Sequence, residues 1–350
     1  MKKRLLLMII GIAMIINCSV SVSAETTSNY NIVEGDIKQD ICVALRNIES
    51  QKSLFGLDTV DFESINIGEP VQTYEYVDDM FEECAVLYPL IYNDSIVLWA
   101  VEDSNTYQFT SSLTNEINEE IHDKQDFTII YDKEKCYLFS EGSLTVLYEY
   151  GYDIEERSTL DPTDIINGLE LSSLENVASL GYKGISQRAG SIIYSCDVEH
   201  VAYQTNLCWA ASCAAISNCI NGTNYDADDV SDIYWGENNT GDVYTEDIPD
   251  VLDELEVNNY SYRESIPSEP VMINNFTANR PIYGSFYNNT NSLRHGCVIY
   301  GINVNPVMIY IMDPIEEYLY IYNTNGSYSY YSATVGVRWI WDRACCYSWS

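Results

Sequence analysis

Gln204-Thr205-Asn206-Leu207-Cys208-Trp209-Ala210-Ala211-Ser212 is the stretch on which the reading of this chain turns. Thr205 or Asn206 is placed to cap a helix over 208–220, closed by Asn221-Gly222. Cys208 then stands in the first helical turn, where orphan amides and the helix dipole favour a thiolate over a thiol. Alanines at 210, 211, 214 and 215 let other segments pack closely on this helix. Gln204, just upstream, is placed to join the Cys208 backbone amide in holding an oxyanion. Read alone, Cys208 fits a buried small hydrophobe equally well. Cys213 and Cys219, deeper in the same helix, read as core.

A nucleophilic thiol needs a base, and the chain has three histidines. His122 falls in a different part of the chain, and His200 in a loop before the helix. His295 opens the segment His295-Gly296-Cys297-Val298-Ile299-Tyr300-Gly301, with a strand expected over 296–303. The next strand, 307–313, ends at Asp313-Pro314. The intervening turn, Asn303 to Pro306, is centred near residue 304, the midpoint of 295 and 313. A regular hairpin therefore sets Asp313 opposite His295, the geometry for a carboxylate to orient an imidazole whose other nitrogen faces the thiol. Cys297 shares the strand face of His295; it is either a buried neighbour of the site or a disulfide partner.

Working outward, residues 191–350 read as helices followed by strands. Asp226 caps a helix over 227–235 and Thr245 one over 246–256. Strands are expected near 281–287, 296–303, 307–313, 317–323 and 335–341. Tyr/Asn-rich loops at 287–291 and 322–331 are placed to touch substrate. Residues 25–150 open with a helix near 36–50, with Ile37, Ile41, Ala44, Leu45 and Ile48 on one face. Strands follow near 65–76, 84–91 and 96–101, a helix near 111–123, then strands near 127–131, 135–139 and 144–149. Residues 151–190 read as a connector with a short helix over 169–180, ending in a protease-accessible stretch, Lys183 to Gly190. The fold class is α+β: a smaller helix-plus-antiparallel-sheet domain, then a domain of N-terminal helices and an antiparallel sheet.

The quoted segments resemble the papain-like cysteine peptidases, most closely the bacterial branch related to bacteriocin-leader peptidases. The positions that carry the resemblance are Gln204, Cys208-Trp209-Ala210-Ala211, His295-Gly296 and Asp313-Pro314. It covers roughly residues 195–345. It implies Cys208 as nucleophile, His295 as general base and acid, Asp313 as orienting group and Gln204 as oxyanion donor. The gap from Gln204 to Cys208 is shorter than in papain, and Asp313 stands where papain has an asparagine. By analogy the N-terminal domain is an inhibitory, folding-assisting propeptide; the alternative is a binding domain that stays attached. A transglutaminase-like or amidase reaction uses the same triad, and a non-catalytic secreted binding module on such a scaffold is the third reading.

Composition narrows the partners. The 350 residues carry 17 Lys+Arg against 53 Asp+Glu, a formal charge of −36, which repels nucleic acid and anionic membranes. With 13% aromatic residues and 30 tyrosines, the chain is wrong for disorder. Lys2-Lys3-Arg4, the apolar run Leu5–Ile16 and Val22-Ser23-Ala24 read as a signal peptide cut before Glu25. A lipoprotein signal using Cys18 fits less well. The expectation is a secreted, extracellular protein acting on protein or peptide substrates. With no CxxC pair and few histidines, no metal site and no cofactor are expected.

Overall fold

Trp209 to Ser217 are nine consecutive buried residues, which only a helix enclosed on all sides permits. This helix, α2 (Cys208–Asn221), ends at Gly222 in the left-handed conformation, φ 68°. It packs against α3 (Ala227–Trp235), α4 (Ile248–Glu254) and the sheet strands β12 (Ile282–Asn288) and β13 (Arg294–Val304). Small side chains along α2 make that close approach possible. Helix α3 carries a reciprocal capping box between Asp226 and Asp229, and α5 (Glu269–Thr277) lies beside β13.

The computed structural model describes residues 41–348 apart from 43–44, 46–47, 50–51, 53–54, 79, 104–105, 122–125, 141, 151–156, 161–168, 170–175, 180–191, 204–205, 237–240, 289–292, 305–306 and 324–325. The signal segment, His122, the Lys183–Gly190 stretch and Gln204 therefore lie outside the described residues. Within residues 41–49, Ile41, Leu45 and Ile48 are helical and buried, as their spacing predicts.

The architecture is mixed α+β with few helices and a large, mostly antiparallel sheet. In the C-terminal part the ladder runs β17 (Val337–Tyr347), β12, β13, β14 (Val307–Asp313), β15 (Glu317–Tyr322). Strands β11 (Tyr260–Arg263) and β16 (Ser329–Ser332) pair with β17, and β10 (Ile192–Tyr194) with β13. β14, Val-Met-Ile-Tyr-Ile-Met-Asp, is apolar without alternation and buried at six of seven positions, as a strand covered on both faces must be.

The N-terminal part is built from β1 (Asn66–Gly68), β2 (Val71–Val77), β3 (Met80–Tyr92), β4 (Ser95–Asp103), β5 (Thr106–Thr110), α1 (Thr114–Glu120), β6 (Phe127–Tyr131), β7 (Lys135–Ser140) and β8 (Ser143–Glu149). All its ladders are antiparallel except β2 with β6. One bridge, Phe109 to Tyr320, joins β5 to β15, and the two rings stack with centroids 5.6 Å apart. A single apolar cluster runs across both parts. It includes Trp99, Phe127 and Tyr131 from the first, and Phe286, Tyr330, Trp339 and Trp341 from the second.

Several expectations are corrected. Leu207, without a side-chain hydrogen bond, is the N-cap of α2; Asn206 is left-handed at φ 60°, and Thr205 lies outside the described residues. Thr245 opens a short 3-10 turn and its hydroxyl bonds Ser285 at 3.0 Å instead of capping α4. The expected strand 65–76 is split in two at Glu69-Pro70, since proline cannot continue the ladder. Asn176–Ser179 is a strand, β9, paired with β1, where a helix was expected. Cys219 is not core: it forms a disulfide with Cys196. Tyr328, Tyr330 and Tyr331, expected on a substrate loop, are buried.

Candidate active site

Because Leu207 caps α2 with its backbone alone, the first helical bond is Ala211 N–H to Leu207 O at 2.9 Å. The amides of Cys208, Trp209 and Ala210 precede that ladder and face the start of the helix. Cys208 is half-buried there, and the Gly296 N–H on β13 points at its sulfur, 3.5 Å away. Gly296 is required by its neighbour: a Cβ on it would lie 2.5 Å from the Tyr283 hydroxyl oxygen and 3.0 Å from the ring. Trp209 is buried with its ring edge-on to Tyr234, a packing role as expected.

His295 and Asp313 meet, but not as direct partners. The β13–β14 ladder pairs Val304 with Val307 and Gly301 with Tyr310, then skips Tyr300 and pairs Ile299 with Ile311 and Val298 with Met312. Continued by one residue, this register sets Asp313 against Cys297, with His295 diagonal to it. The extra residue decides the site. Without the bulge at Tyr300 the carboxylate would fall opposite Val298, on the other face of the sheet. With it, Asp313 shares the face of His295 and its Oδ1 lies 2.8 Å from Nε2. That bond leaves Nδ1 for the thiol, and the Cys208 side chain is hydrogen-bonded to the imidazole.

Both partners are buried. Burial alone would strip the imidazole of its proton. The Asp313 carboxylate, with its hydrogen bond, outweighs this and holds His295 well above the ordinary imidazole value. Burial likewise pushes Asp313 up, but charge from His295 and bonds from His295, Tyr330 and the Ile315 amide bring it below the usual carboxylate range. Oδ1 also accepts the N–H groups of Ile315 at 2.7 Å and Glu316 at 3.2 Å, and Oδ2 accepts the Tyr330 hydroxyl. Trp339 covers the imidazole, ring centroids 5.1 Å apart.

Cys297 is a buried neighbour of the site. Its sulfur lies 3.6 Å from Asp313 Oδ2 and 3.5 Å from the Tyr330 hydroxyl, and burial raises its pKa to about 12. His295, Cys297 and Asp313 offer ligand atoms within 4.8 Å of one another, a donor set a cation could take. Here the thiol, hydroxyl and amide hydrogens already fill the lone pairs of Asp313. His200 is half-buried, with Nε2 3.2 Å from Pro314 O.

Sequence reasoning missed Tyr330, Trp339, Glu316 and Tyr203. The Tyr203 hydroxyl accepts the Asn206 N–H at 3.0 Å and donates to Tyr150 O at 3.3 Å, which brings the end of β8 beside the Cys208 loop. Trp339 fell in the strand expected near 335–341, whereas Tyr330 fell in the loop expected over 322–331. Among the described residues, no helix is long and apolar enough to cross a membrane. Compared with known proteins, the chain matches no family model and no curated sequence.

Proposed function

We propose that the protein is a secreted thiol endopeptidase of papain-like architecture, made as a latent precursor. The observation that carries this reading is the hydrogen-bonded series from Cys208 through His295 to Asp313, at the start of a buried helix. The Cys208 sulfur attacks a peptide carbonyl, and the oxyanion that forms is met by the Cys208 amide. The proton on His295 Nδ1 passes to the departing amine as the C–N bond breaks, leaving a thioester. A water then gives a proton back to Nδ1, attacks the thioester and releases the acid, leaving the Cys208 thiolate beside the protonated imidazole. Asp313 keeps the ring oriented and its charge matched throughout.

Export is supported by the Cys196–Cys219 disulfide, which suits an oxidising compartment. Latency is supported by the contact of Tyr203 with Tyr150, which brings the N-terminal part close to the nucleophile. In this reading the N-terminal part acts as an intramolecular inhibitor, relieved by a cut near 183–190.

The test compares residues 25–350 with the Cys208→Ala variant, both incubated with a mild thiol and followed by intact mass and casein digestion. The wild type is expected to clip itself near 183–190 and then degrade casein, while the variant stays whole. Intact wild type, unharmed casein and a Cys208 that alkylates no faster than a free thiol would overturn the reading.

A further inference from the structure

Glu316 lies three residues past Asp313, in the turn between β14 and β15, and is fully buried. No step of the acyl transfer uses it. Its Oε1 accepts the Ser332 hydroxyl at 2.5 Å and the Thr334 N–H at 2.8 Å. Its Oε2 accepts the Thr110 hydroxyl, from β5 of the N-terminal part, at 3.3 Å. Its own N–H turns back onto Asp313 Oδ1. The residue is thus gripped through its side chain and grips Asp313 through its backbone.

The segment that holds Glu316 is itself held from the N-terminal part. Gln108 donates to Tyr331 O and accepts the Tyr331 N–H at 2.9 Å. Ser112 bonds Thr334, and the Tyr131 hydroxyl donates to Ala333 O at 2.7 Å. Arg157, at the start of the connector, donates to Val335 O at 2.6 Å and to Gly336 O. Tyr330, which bonds Asp313 Oδ2, is part of this same strand. Both carboxylate oxygens of Asp313 are therefore contacted by elements that the N-terminal part fixes.

A carboxylate is a costly choice for such an anchor. Burial and the nearby Asp313 charge push Glu316 up to about 6, while the Ser332 and Thr334 bonds hold it down. An amide would keep the two bonds at Oε1 at less cost, with its nitrogen facing Thr110 as a donor. What the carboxylate adds is negative charge behind Asp313. Its electrostatic neighbours among the described residues include Asp313, Cys136 on β7 and Tyr148 on β8.

We propose that Glu316 is a positioning residue for the His295–Asp313 pair, and that Thr110 ties it to the N-terminal part, which thereby becomes a working piece of the site. The kinetic consequence rests on the peptidase reading; the spectroscopic one does not.

The test follows the His295 ring protons by NMR from pH 6 to 10 in full-length Cys208→Ala protein, residues 25–350. His122 and His200 are assigned by replacing each with Gln. Adding Glu316→Gln is expected to lower the His295 midpoint by about one unit, a tenfold change in proton affinity. Thr110→Val is expected to lower it in part, and Thr110→Ser to restore it. With Cys208 present, Glu316→Gln and Thr110→Val are expected to reduce kcat and leave KM unchanged. Midpoints that coincide with the parent overturn the proposal, even if the wild type digests peptides. A shifted midpoint in a protein that digests nothing upholds the positioning and removes the endopeptidase. Should Glu316→Gln fail to fold, the Thr110→Val and Thr110→Ser pair decides by the same midpoint.

Discussion

At the scale of single residues, the site is a contest between burial and one carboxylate. Burial pulls the His295 pKa down and Asp313 pulls it up, and Asp313 wins. A group whose folded pKa is raised stabilises the fold fully below its unfolded value, about 6.5, and that contribution disappears as pH rises through the folded value. Asp313, held low, works in the opposite window: its contribution is present above about 3.9 and lost as acid protonates it. Asp313→Asn removes the largest upward pull on the ring, so that burial, which favours the neutral form, is opposed only by Cys297 and Cys208. Two outcomes are expected. Wild-type stability in urea is expected to fall as pH rises above about 6.5, and the variant to lack that decline. Alkylation of Cys208 at pH 7, read by peptide mapping, slows at least about tenfold, the effect of one unit in pKa. A variant that keeps both behaviours would mean that Asp313 does not govern the imidazole.

At the scale of elements, legibility followed local pattern and failed where a single residue changed register. The small-residue run after Cys208 and the apolar strands β12, β13 and β14 stand where their composition places them. The turn-centre argument brought His295 and Asp313 together for a reason that was only partly right. The meeting depends on Tyr300 entering β13 as an extra residue, which no periodicity announces. Strands β11 and β16 are four residues each, too short for a period-2 pattern to stand out. Helix α5 carries Pro270 and four polar residues in nine, so its apolar face does not stand out in the sequence. The cysteines were illegible for another reason: pairing depends on where α2 ends relative to β10, not on spacing. The Cys196–Cys219 bond closes 23 residues around the segment that carries Cys208. A loop of that size stabilises by about 3 kcal/mol on the chain-entropy account. Cys219→Ser is expected to lose that amount in urea unfolding. A loss below about 1 kcal/mol would show that α2 packing, and not the bond, fixes the nucleophile loop.

At the scale of the whole molecule, the boundary expected at the connector 151–190 is a boundary in sequence more than in packing. The first part offers Trp99, Phe127 and Tyr131 to the same apolar cluster as Tyr330, Trp339 and Trp341 of the second. Arg157 is buried, reaching Glu75 at 3.2 Å on one side and two backbone carbonyls of the 332–336 turn on the other. Gly336 is left-handed at φ 69° with the Tyr131 ring lying where a side chain would be. Burying one large apolar side chain is worth roughly 1.5–3 kcal/mol, so the shared cluster supplies on the order of 10 kcal/mol, which before the cost of association corresponds to a Kd of tens of nanomolar. A cut within 183–190 is therefore expected to leave both fragments together. On a native sizing column the clipped protein elutes at the position of the intact chain, and the fragments part only in denaturant. Residues 191–350 produced alone are expected to aggregate, because the face that meets Trp99 and Tyr131 is then open to water. If that fragment instead elutes as a folded monomer with a reactive Cys208, the N-terminal part is a removable cover. Co-elution of the two pieces makes it a permanent subunit, and any inhibition it exerts is lifted by freeing the connector, not by its departure.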